Sequence, residues 1–240
     1  MPEYYPVMLN IRGRKAIVVG GNKVAAEKAA SLAASDAHVA VLSPTFCPEL
    51  MQQAEAGQVT LRRKAYEPGD LAGAFVVVAI AESHELVEAI WAETQERGQL
   101  VNIVDVPAYC TFILPSILRR EQLTIAVSTE GASPGLAKRI RQELEAYFPL
   151  AYGPYIRLAA LARARLRESG VSYEQRDAFF ADFFNSDVLQ QLVQGNGAAA
   201  RAITADLLQR YGVPILADAL HENIEEDGNE VKEYSYRGAR

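Results

Sequence analysis

The stretch KAIVVGGNKVAAEKAASLAA, residues 15–34, decides the fold. Small and β-branched apolar residues end in two glycines, and alanine-rich sequence typical of a helix follows at once. This pattern predicts a buried strand that enters a tight turn at Gly20, Gly21 and Asn22, with a helix beginning directly after it. In such a turn, backbone N–H groups and the positive end of the helix dipole face the same point and attract phosphate. The sequence therefore predicts a dinucleotide pyrophosphate site over this turn.

The turn departs from the dinucleotide-binding fingerprint G-x-G-x-x-G/A at one position. Gly20 and Ala25 match the first and last residues, but Asn22 replaces the middle glycine, which allows close approach of a cofactor. Asparagine tolerates a left-handed backbone, so the turn can survive with Asn22 in that conformation. Alternatively, Gly21 provides the close approach. Lys23 would add a positive charge beside the phosphates, whereas a turn that binds no ligand is the purely structural alternative.

Strand-like and helix-like segments alternate on both sides of this stretch, through the first half of the chain. Apolar runs predict strands at residues 15–21, 38–42, 59–66, 75–81 and 100–105. Helical composition lies between them at residues 23–34 and 46–56, and again after Ser83, which is a candidate helix cap. This alternation predicts an α/β fold, a Rossmann-type doubly wound parallel sheet.

The alternation of strand-like and helix-like segments ends after Pro107. Residues 111–118 and 123–129 are strand-like. Ser133 as the cap and Pro134 at the first helical position predict a helix that runs to about Tyr147. Residues 152–210 have helical periodicity, with breaks near Gly170, Asn185 and Gly195. We therefore predict a Rossmann-type domain at 1–110, a central segment at 111–150, a helical domain at 151–215, and an acidic tail at 216–240 that is mobile or lies on the surface.

The composition excludes several classes of protein. The chain has 240 residues and a net charge of −6, so the global basic excess typical of nucleic-acid-binding proteins is absent. The longest apolar run, Leu71 to Ala81, is too short to span a bilayer, and the first residues do not resemble a signal peptide. We expect a cytoplasmic protein without a nucleic-acid or membrane partner. Cys47 and Cys110 form no CxxC pair, and the histidines share no metal-ligand spacing.

The end of the second predicted strand bears on the choice of cofactor. In dinucleotide-binding domains this strand usually ends in Asp or Glu, which binds the adenosine ribose. Here it ends in Leu42, Ser43 and Pro44, with neither an acid nor an arginine for a 2′-phosphate. Serine can donate to a ribose hydroxyl, so NAD is mildly favoured over NADP, and the sequence leaves the choice open.

Three blocks of sequence together resemble one family. They are YYPVMLNIRGRKAIVVGGNKVAAEKAASL at 4–32, VNIVDVPAYCTFILPSIL at 101–118 and LTIAVSTEGASPGLAKRIRQELE at 123–145. In this order they resemble the precorrin-2 dehydrogenase/sirohydrochlorin ferrochelatase family, the N-terminal module of siroheme synthase. The likeness covers about residues 5–184.

The resemblance implies an activity and an architecture. It implies NAD-dependent oxidation of precorrin-2 to sirohydrochlorin and, in bifunctional members, insertion of Fe²⁺ to give siroheme. It also implies a Rossmann domain, a central dimerisation segment and a C-terminal helical domain, so we expect a homodimer formed through about residues 111–148. No methyltransferase domain follows in this sequence, so the chain would receive precorrin-2 rather than make it.

The resemblance also implies site residues. Asp105 carries over as the residue tied to both activities, with a transient Fe²⁺ contact in the second. Ser128 carries over as facing the tetrapyrrole pocket, and Lys138 lies in the same block as a substrate-binding candidate. The expected NAD contacts are Gly20, Gly21, Asn22, Lys23, Val24, Ser43, Pro44 and Thr45. At position 80 this chain has Ile80, where the family often has threonine.

The chemistry is consistent with these assignments. Asp105 ends a predicted parallel strand, at the edge of the sheet where ligands bind, and a carboxylate there can accept the proton that leaves with the hydride. The same hard oxygen ligand suits Fe²⁺. Alternatively, Asp105 is only a turn or cap residue before Pro107. Between Pro115 and Arg176 basic residues outnumber acidic ones, which favours an anionic substrate unless these arginines simply solvate helices. A non-catalytic dinucleotide sensor and a dehydrogenase without chelatase activity remain competing hypotheses.

Overall fold

The computed structural model describes residues 4–213, 215 and 217–220, and it divides the chain into two compact units. The first unit ends at Leu114 and the second begins at Pro115. Of the tail predicted at 216–240, only a short 3-10 helix, Ala217–Leu220, belongs to the described part. The rest of that prediction lies outside the described residues.

The first unit is built on a five-stranded parallel sheet, in the order β3-β2-β1-β4-β5. The strands are β1 Lys15–Val19, β2 His38–Ser43, β3 Val59–Arg63, β4 Val76–Ala79 and β5 Leu100–Ile103. The helices between them are α1 Lys23–Ala33, α2 Pro48–Glu55 and α3 His84–Glu96. The predicted doubly wound parallel fold is therefore confirmed.

Alternating residues of the central strands divide the core between the two faces of the sheet. Val18, Val41 and Val78 pack against α1 and α2 on one face. On the other face, Ile17, Val77 and their neighbours pack against α3. Helix α1 contacts the sheet through alanines, whose small side chains let the helix and the sheet approach closely. The alternation explains why these strands are apolar throughout, as strands covered on both faces must be.

The strand predicted at 111–118 is wrong for its first half. Residues 107–109 form a short 3-10 helix, and Thr111 donates from its backbone N–H to the Val101 carbonyl oxygen at 2.8 Å, so this segment folds back along β5. Regular pairing begins only at Ser116, after Pro115, because proline has no N–H for a ladder.

The second unit combines a β-hairpin with helices. The antiparallel pair β6 Ser116–Arg120 and β7 Leu123–Val127 is followed by α4 Pro134–Tyr147, α5 Tyr152–Glu168, α6 Tyr173–Phe184, α7 Val188–Val193 and α8 Gly197–Arg210. Ser133 caps α4 with Pro134 at its first position, as predicted. The helices also break where the sequence predicted breaks. None of the helices in the described ranges is long and apolar enough to cross a membrane.

Candidate functional site

The glycine turn between β1 and α1 obtains its unusual backbone from Gly20 rather than from Asn22. Gly20 has φ 133°, and a Cβ there would lie 3.1 Å from the Ile80 Cβ. Asn22 has φ −89° and ψ −177°, an extended conformation, so the expected left-handed Asn22 is wrong. The reason is that Asn22 is the N-cap of α1, a position that requires extended dihedrals.

The Asn22 side chain uses one amide of the helix N-terminus and leaves two unoccupied. Its Oδ1 accepts from the Ala25 N–H at 3.0 Å. The backbone N–H groups of Lys23 and Val24 point out of the first turn, and no acceptor among the described residues bonds to them. Together with the helix dipole, these two amides form an anion site at this turn.

Gly21 is required by the protein's own backbone. A Cβ at Gly21 would overlap the Thr45 carbonyl oxygen and lie 2.6 Å from the Ser43 hydroxyl oxygen. Cys47 donates from its backbone N–H to the Gly21 carbonyl oxygen at 2.7 Å. The segment after β2 therefore lies directly against the turn after β1. Close approach does occur at Gly21, but the approaching group is this segment.

A cavity of about 620 Å³ opens where the segment after β2 lies against the glycine turn. Its volume is within the size range of small-molecule sites. Six of the expected cofactor residues line it: Gly20, Gly21, Asn22, Ser43, Pro44 and Thr45. Sequence reasoning missed the remaining lining residues, which are Val19, Leu42, Phe46, Cys47, Ala65, Tyr66, Ile80, Glu82 and Leu86. Most of them lie at or just beyond the carboxyl ends of β1, β2 and β4 or after β3, so the rule that ligands bind at that edge could have indicated them. A cavity that adjoins a helix N-terminus with two unpaired amides fits a dinucleotide.

Lys23 and Val24 do not line this cavity. Lys23 Nζ lies 3.2 Å from the Glu49 carboxylate on α2, and its side chain is largely exposed. Hydrogen bonds to backbone N–H at the start of α2 and to Lys23 lower the pKa of Glu49. The positive charge expected beside the phosphates is therefore partly neutralised by Glu49, and the backbone amides at 23 and 24 carry the anion site.

Asp105 lies in a turn just beyond β5, at the same carboxyl edge of the sheet as Gly20. Its φ is 63°, and the Val106 N–H closes the turn on the Ile103 carbonyl oxygen at 3.1 Å. The side chain is exposed, and in the described part of the chain its carboxylate has neither a hydrogen bond nor an ion pair. The 3-10 helix that follows has no side-chain cap, so the capping interpretation of Asp105 is wrong. An exposed carboxylate without partners is able to accept a proton or contact a cation.

Cys110 does not offer a thiolate at this edge. Burial raises the pKa of its thiol, and its sulfur contacts backbone groups of β5 and of the turn that follows. Among the residues that the structure describes, no group of three His, Cys, Asp or Glu side chains could hold a metal ion. Within the described residues, Asp105 is therefore not part of a three-ligand metal site.

The substrate candidates Ser128 and Lys138 both lie in the second unit. Ser128 is exposed in the loop after β7, where its hydroxyl accepts from the Glu130 N–H at 3.0 Å. Glu130 and Gly131 both have positive φ, at 51° and 86°, so the loop turns sharply before Ser133 caps α4. Lys138 is exposed on α4 and has no charged partner among the described residues.

Many of the basic residues counted in the second unit are already paired. Arg139, Arg141, Arg157 and Arg165 contact Glu143, Glu145, Glu121 and Glu168, respectively. Arg139 and Arg165 pair within their own helices, so for them the interpretation as ordinary helix-surface residues is the better one. The side chains of Arg141 and Arg157 are largely buried, and Arg157 joins its helix to the hairpin turn. Within the described chain, the basic side chains of this region without an ion pair, hydrogen bond or ring contact are Arg119, Lys138, Arg167 and Arg176.

Two family models match the chain. One, described as NAD(P)-binding, covers residues 7–116, and the other, described as sirohaem biosynthesis protein central, covers residues 120–147. The NAD(P)-binding domain predicted from the glycine turn is thereby confirmed.

Individual proteins give the same result. The siroheme synthase of Methylobacillus flagellatus is 34% identical over 210 residues, 88% of this chain and 45% of that protein. That of Nitrosomonas eutropha is 36% identical over 202 residues, 83% of this chain and 42% of that protein. The solved structure of SirC, precorrin-2 dehydrogenase, superposes with a TM-score of 0.72 at 25% identity, covering 87% of this chain and 99% of that one. The chain thus spans less than half the length of the siroheme synthases it matches.

Proposed function

This chain belongs to the family of the siroheme synthases and precorrin-2 dehydrogenases, and we propose that it oxidises precorrin-2 to sirohydrochlorin with NAD⁺ as the hydride acceptor. One observation carries the proposal: the unpartnered Asp105 carboxylate lies at the same edge of the parallel sheet as the anion site of the glycine turn. A dehydrogenase needs a cofactor site and a proton acceptor at one ligand-binding edge, because the substrate loses both a hydride and a proton. A dinucleotide sensor has no need of the carboxylate.

The residues of the first unit have separate tasks in this reaction. The amides of Lys23 and Val24 and the dipole of α1 bind the pyrophosphate. The Ser43 hydroxyl has no partner among the described residues, and because Ser43 lines the cavity, it donates to a ribose hydroxyl. NAD⁺, when bound, accepts the hydride. The Asp105 carboxylate accepts the proton, and its exposure leaves it free of protein donors that would compete for its lone pairs.

The substrate carries eight carboxylates, and the second unit supplies groups that suit them. The Ser128 hydroxyl lies in an exposed loop and can donate a hydrogen bond to a substrate carboxylate. Lys138 carries an unpaired charge on the helix that follows. Because Arg119, Arg167 and Arg176 are also unpaired within the described chain, the unit keeps free positive charge for an anionic ligand.

Anaerobic incubation with precorrin-2 and NAD⁺ tests the dehydrogenase proposal. We expect sirohydrochlorin absorbance to develop only when NAD⁺ is present, and faster with NAD⁺ than with NADP⁺. Asp105→Asn should lower kcat by about 100-fold, whereas the Kd for NAD⁺ should stay within about twofold, because asparagine keeps the left-handed turn but cannot accept the proton.

One outcome would contradict the dehydrogenase proposal, and another would contradict the role of Asp105. NAD⁺ binding without any spectral change would make the protein a dinucleotide sensor. Full activity of Asp105→Asn would remove Asp105 from the chemistry while leaving the dehydrogenase intact.

We extend the proposal to insertion of Fe²⁺ into sirohydrochlorin, with iron as a substrate rather than a resident metal. The exposed Asp105 carboxylate is the observation that favours it, since a single oxygen contact can release the ion to the ring nitrogens. After complete oxidation, added Fe²⁺ should give siroheme faster than without protein, and Asp105→Asn should abolish the difference. If wild-type protein does not accelerate insertion, the enzyme is a dehydrogenase only.

We also propose a homodimer through the hairpin and α4. Ile117 is 40% exposed, Leu136 49% and Tyr147 74%, so this part of the second unit presents apolar side chains to its surroundings. Light scattering at micromolar concentration should give twice the chain mass for wild type and for Gln122→Asp in the hairpin turn, and the chain mass for Ile117→Asp. A monomeric wild type would overturn this part of the proposal. The cytoplasmic location remains a prediction from the sequence.

A further inference from the structure

The segment after the Asp105 turn closes the free edge of β5. As the last strand of the sheet, β5 has backbone groups on its outer side that need partners. The Thr111 side chain supplies one of them, because its hydroxyl oxygen accepts from the Val101 N–H at 2.8 Å. Asn102 donates from its side-chain amide to the Phe112 carbonyl oxygen at 3.0 Å. The segment is therefore held to the strand by side chains as well as by its backbone.

Cys110 makes the corresponding contacts two residues farther along β5. Its Sγ accepts from the Ile103 N–H at 3.2 Å. The same sulfur lies 3.3 Å from the Ile103 carbonyl oxygen and 3.4 Å from the Val106 carbonyl oxygen, either of which can accept its proton. Ile103 and Val106 are the two ends of the turn that contains Asp105, so one thiol contacts both ends.

The Asp105 turn needs such support. A positive φ is unfavourable for a residue with a Cβ and persists only where the surroundings hold it. The Asp105 side chain does not stabilise the turn, since it has no partner in the described structure. Before Asp105, the Val104 N–H bonds to the Ala79 carbonyl oxygen of the sheet at 2.9 Å. After it, the Val106 N–H bonds to the Ile103 carbonyl oxygen, and the Val106 carbonyl oxygen accepts from the Tyr109 N–H at 3.0 Å and contacts the Cys110 thiol. The thiol is the side chain that joins Val106 to Ile103.

We propose that Cys110 is a positioning residue: its thiol ties Ile103 to Val106 and thereby fixes the Asp105 carboxylate at the edge of the sheet. Its effect on catalysis rests on the proposed role of Asp105, whereas its effect on the turn does not. Catalytic rates fall steeply when a reacting group moves by about 1 Å, so a loosened turn should lower kcat without changing cofactor affinity.

The test compares Cys110→Ala and Cys110→Ser with Thr111→Val. Thr111→Val removes side-chain bonds to the same strand, but at Val101, away from the turn. In the full chain without ligands, hydrogen exchange at the Val106 amide should become about tenfold faster in Cys110→Ala, and should stay at the wild-type rate in Thr111→Val. In Cys110→Ser, whose hydroxyl can both donate and accept a hydrogen bond, the exchange rate at Val106 should lie between those of Cys110→Ala and wild type.

Activity provides the second readout. For NAD⁺-dependent oxidation of precorrin-2, kcat should fall about tenfold in Cys110→Ala and partly recover in Cys110→Ser, with the Kd for NAD⁺ within about twofold of wild type. Thr111→Val should keep its kcat even if its melting temperature falls as far as that of Cys110→Ala. Equal kcat losses in Cys110→Ala and Thr111→Val would reduce Cys110 to a structural thiol.

The two readouts separate the two proposals. Faster exchange at Val106 in Cys110→Ala, together with an inactive wild type, would overturn the proposed function and leave the tie between Ile103 and Val106 standing. Unchanged exchange and unchanged kcat in Cys110→Ala, with an active wild type, would overturn the inference about Cys110.

Discussion

Asn22 shows how a residue that departs from a motif can keep the motif's task. The sequence correctly placed a strand, a turn and a helix around it, because apolar runs, glycines and alanines act locally. The assignment of the left-handed position to Asn22 failed, since the fingerprint does not record that an asparagine at this point can cap the helix. The structure gives the positive φ to Gly20 and the cap to Asn22.

The cap leads to a prediction about cofactor affinity. Asn22→Asp keeps the hydrogen bond to Ala25 but adds a negative charge beside the pyrophosphate, so the Kd for NAD⁺ should rise about tenfold, equivalent to about 1.4 kcal/mol. Asn22→Gly should cost only a few tenths of a kcal/mol in stability and should bind NAD⁺ at least as tightly as wild type, because it frees the Ala25 amide. Isothermal titration calorimetry at low ionic strength measures both. Wild-type affinity in Asn22→Asp would place the pyrophosphate elsewhere.

For Asp105, too, the sequence predicts the place of the residue but not its conformation. Its position at a strand end follows from the alternation of strands and helices, so its place at the ligand-binding edge could be predicted. Its positive φ and its lack of partners depend on how residues 106–112 fold back on β5, and that path is set by contacts between distant residues. The sequence pattern of this segment resembled a strand instead.

Helix α3 carries a buried carboxylate that organises the chain in front of β4. Glu93 is 6% exposed and accepts from the Tyr66 hydroxyl at 2.7 Å and from the Gly69 N–H at 2.9 Å. It also accepts from the Leu71 N–H and forms an ion pair with Arg97. The cluster fixes the segment that contains Tyr66, which lines the candidate cofactor cavity. Helical spacing from Val87 and Ile90 places Glu93 on the buried face, but the spacing cannot identify the donors that make a buried charge tolerable.

Glu93→Gln should therefore destabilise the first unit. Glutamine keeps one acceptor oxygen but loses the charge and brings an N–H₂ group among donors, so the free energy of unfolding should fall by about 2–3 kcal/mol. Glu96→Gln, an exposed position at the end of the same helix, should change it by less than about 0.5 kcal/mol. Urea unfolding followed by far-ultraviolet circular dichroism measures the difference. Equal stability of the two variants would mean that the carboxylate is not needed in the cluster.

The two compact units share one property, a tyrosine whose ionisation folding suppresses. Burial and the hydrogen bond to Glu93 raise the pKa of Tyr66 in the first unit. In the second unit, burial raises the pKa of Tyr155 to about 12. The Tyr155 ring stacks on the Phe183 ring, with 5.1 Å between the ring centroids. The sequence could not separate these from the other tyrosines, because burial is a property of the whole fold.

These tyrosines predict a loss of stability at alkaline pH. Above about pH 10 the unfolded chain releases the tyrosine protons while the folded chain retains them, so the free energy of unfolding should decrease as pH rises from 10 to 12. Below pH 10 both states keep the protons, and these groups should give no dependence. Urea unfolding at several pH values measures the slope. Tyr155→Phe should make it shallower, whereas Tyr173→Phe, at an exposed position on α6, should leave it as in wild type.

The closed edge of β5 has a consequence for the behaviour of the protein at high concentration. An open strand at the side of a sheet is a template on which a second molecule can add its own strand, and repeated addition leads to aggregation. On one side of this sheet, Cys110 and Thr111 occupy the backbone groups that such an addition would use. On the other side, β3 ends in Arg62 and Arg63, whose charges repel an incoming copy. Both borders of the parallel sheet are thus protected against strand-by-strand growth.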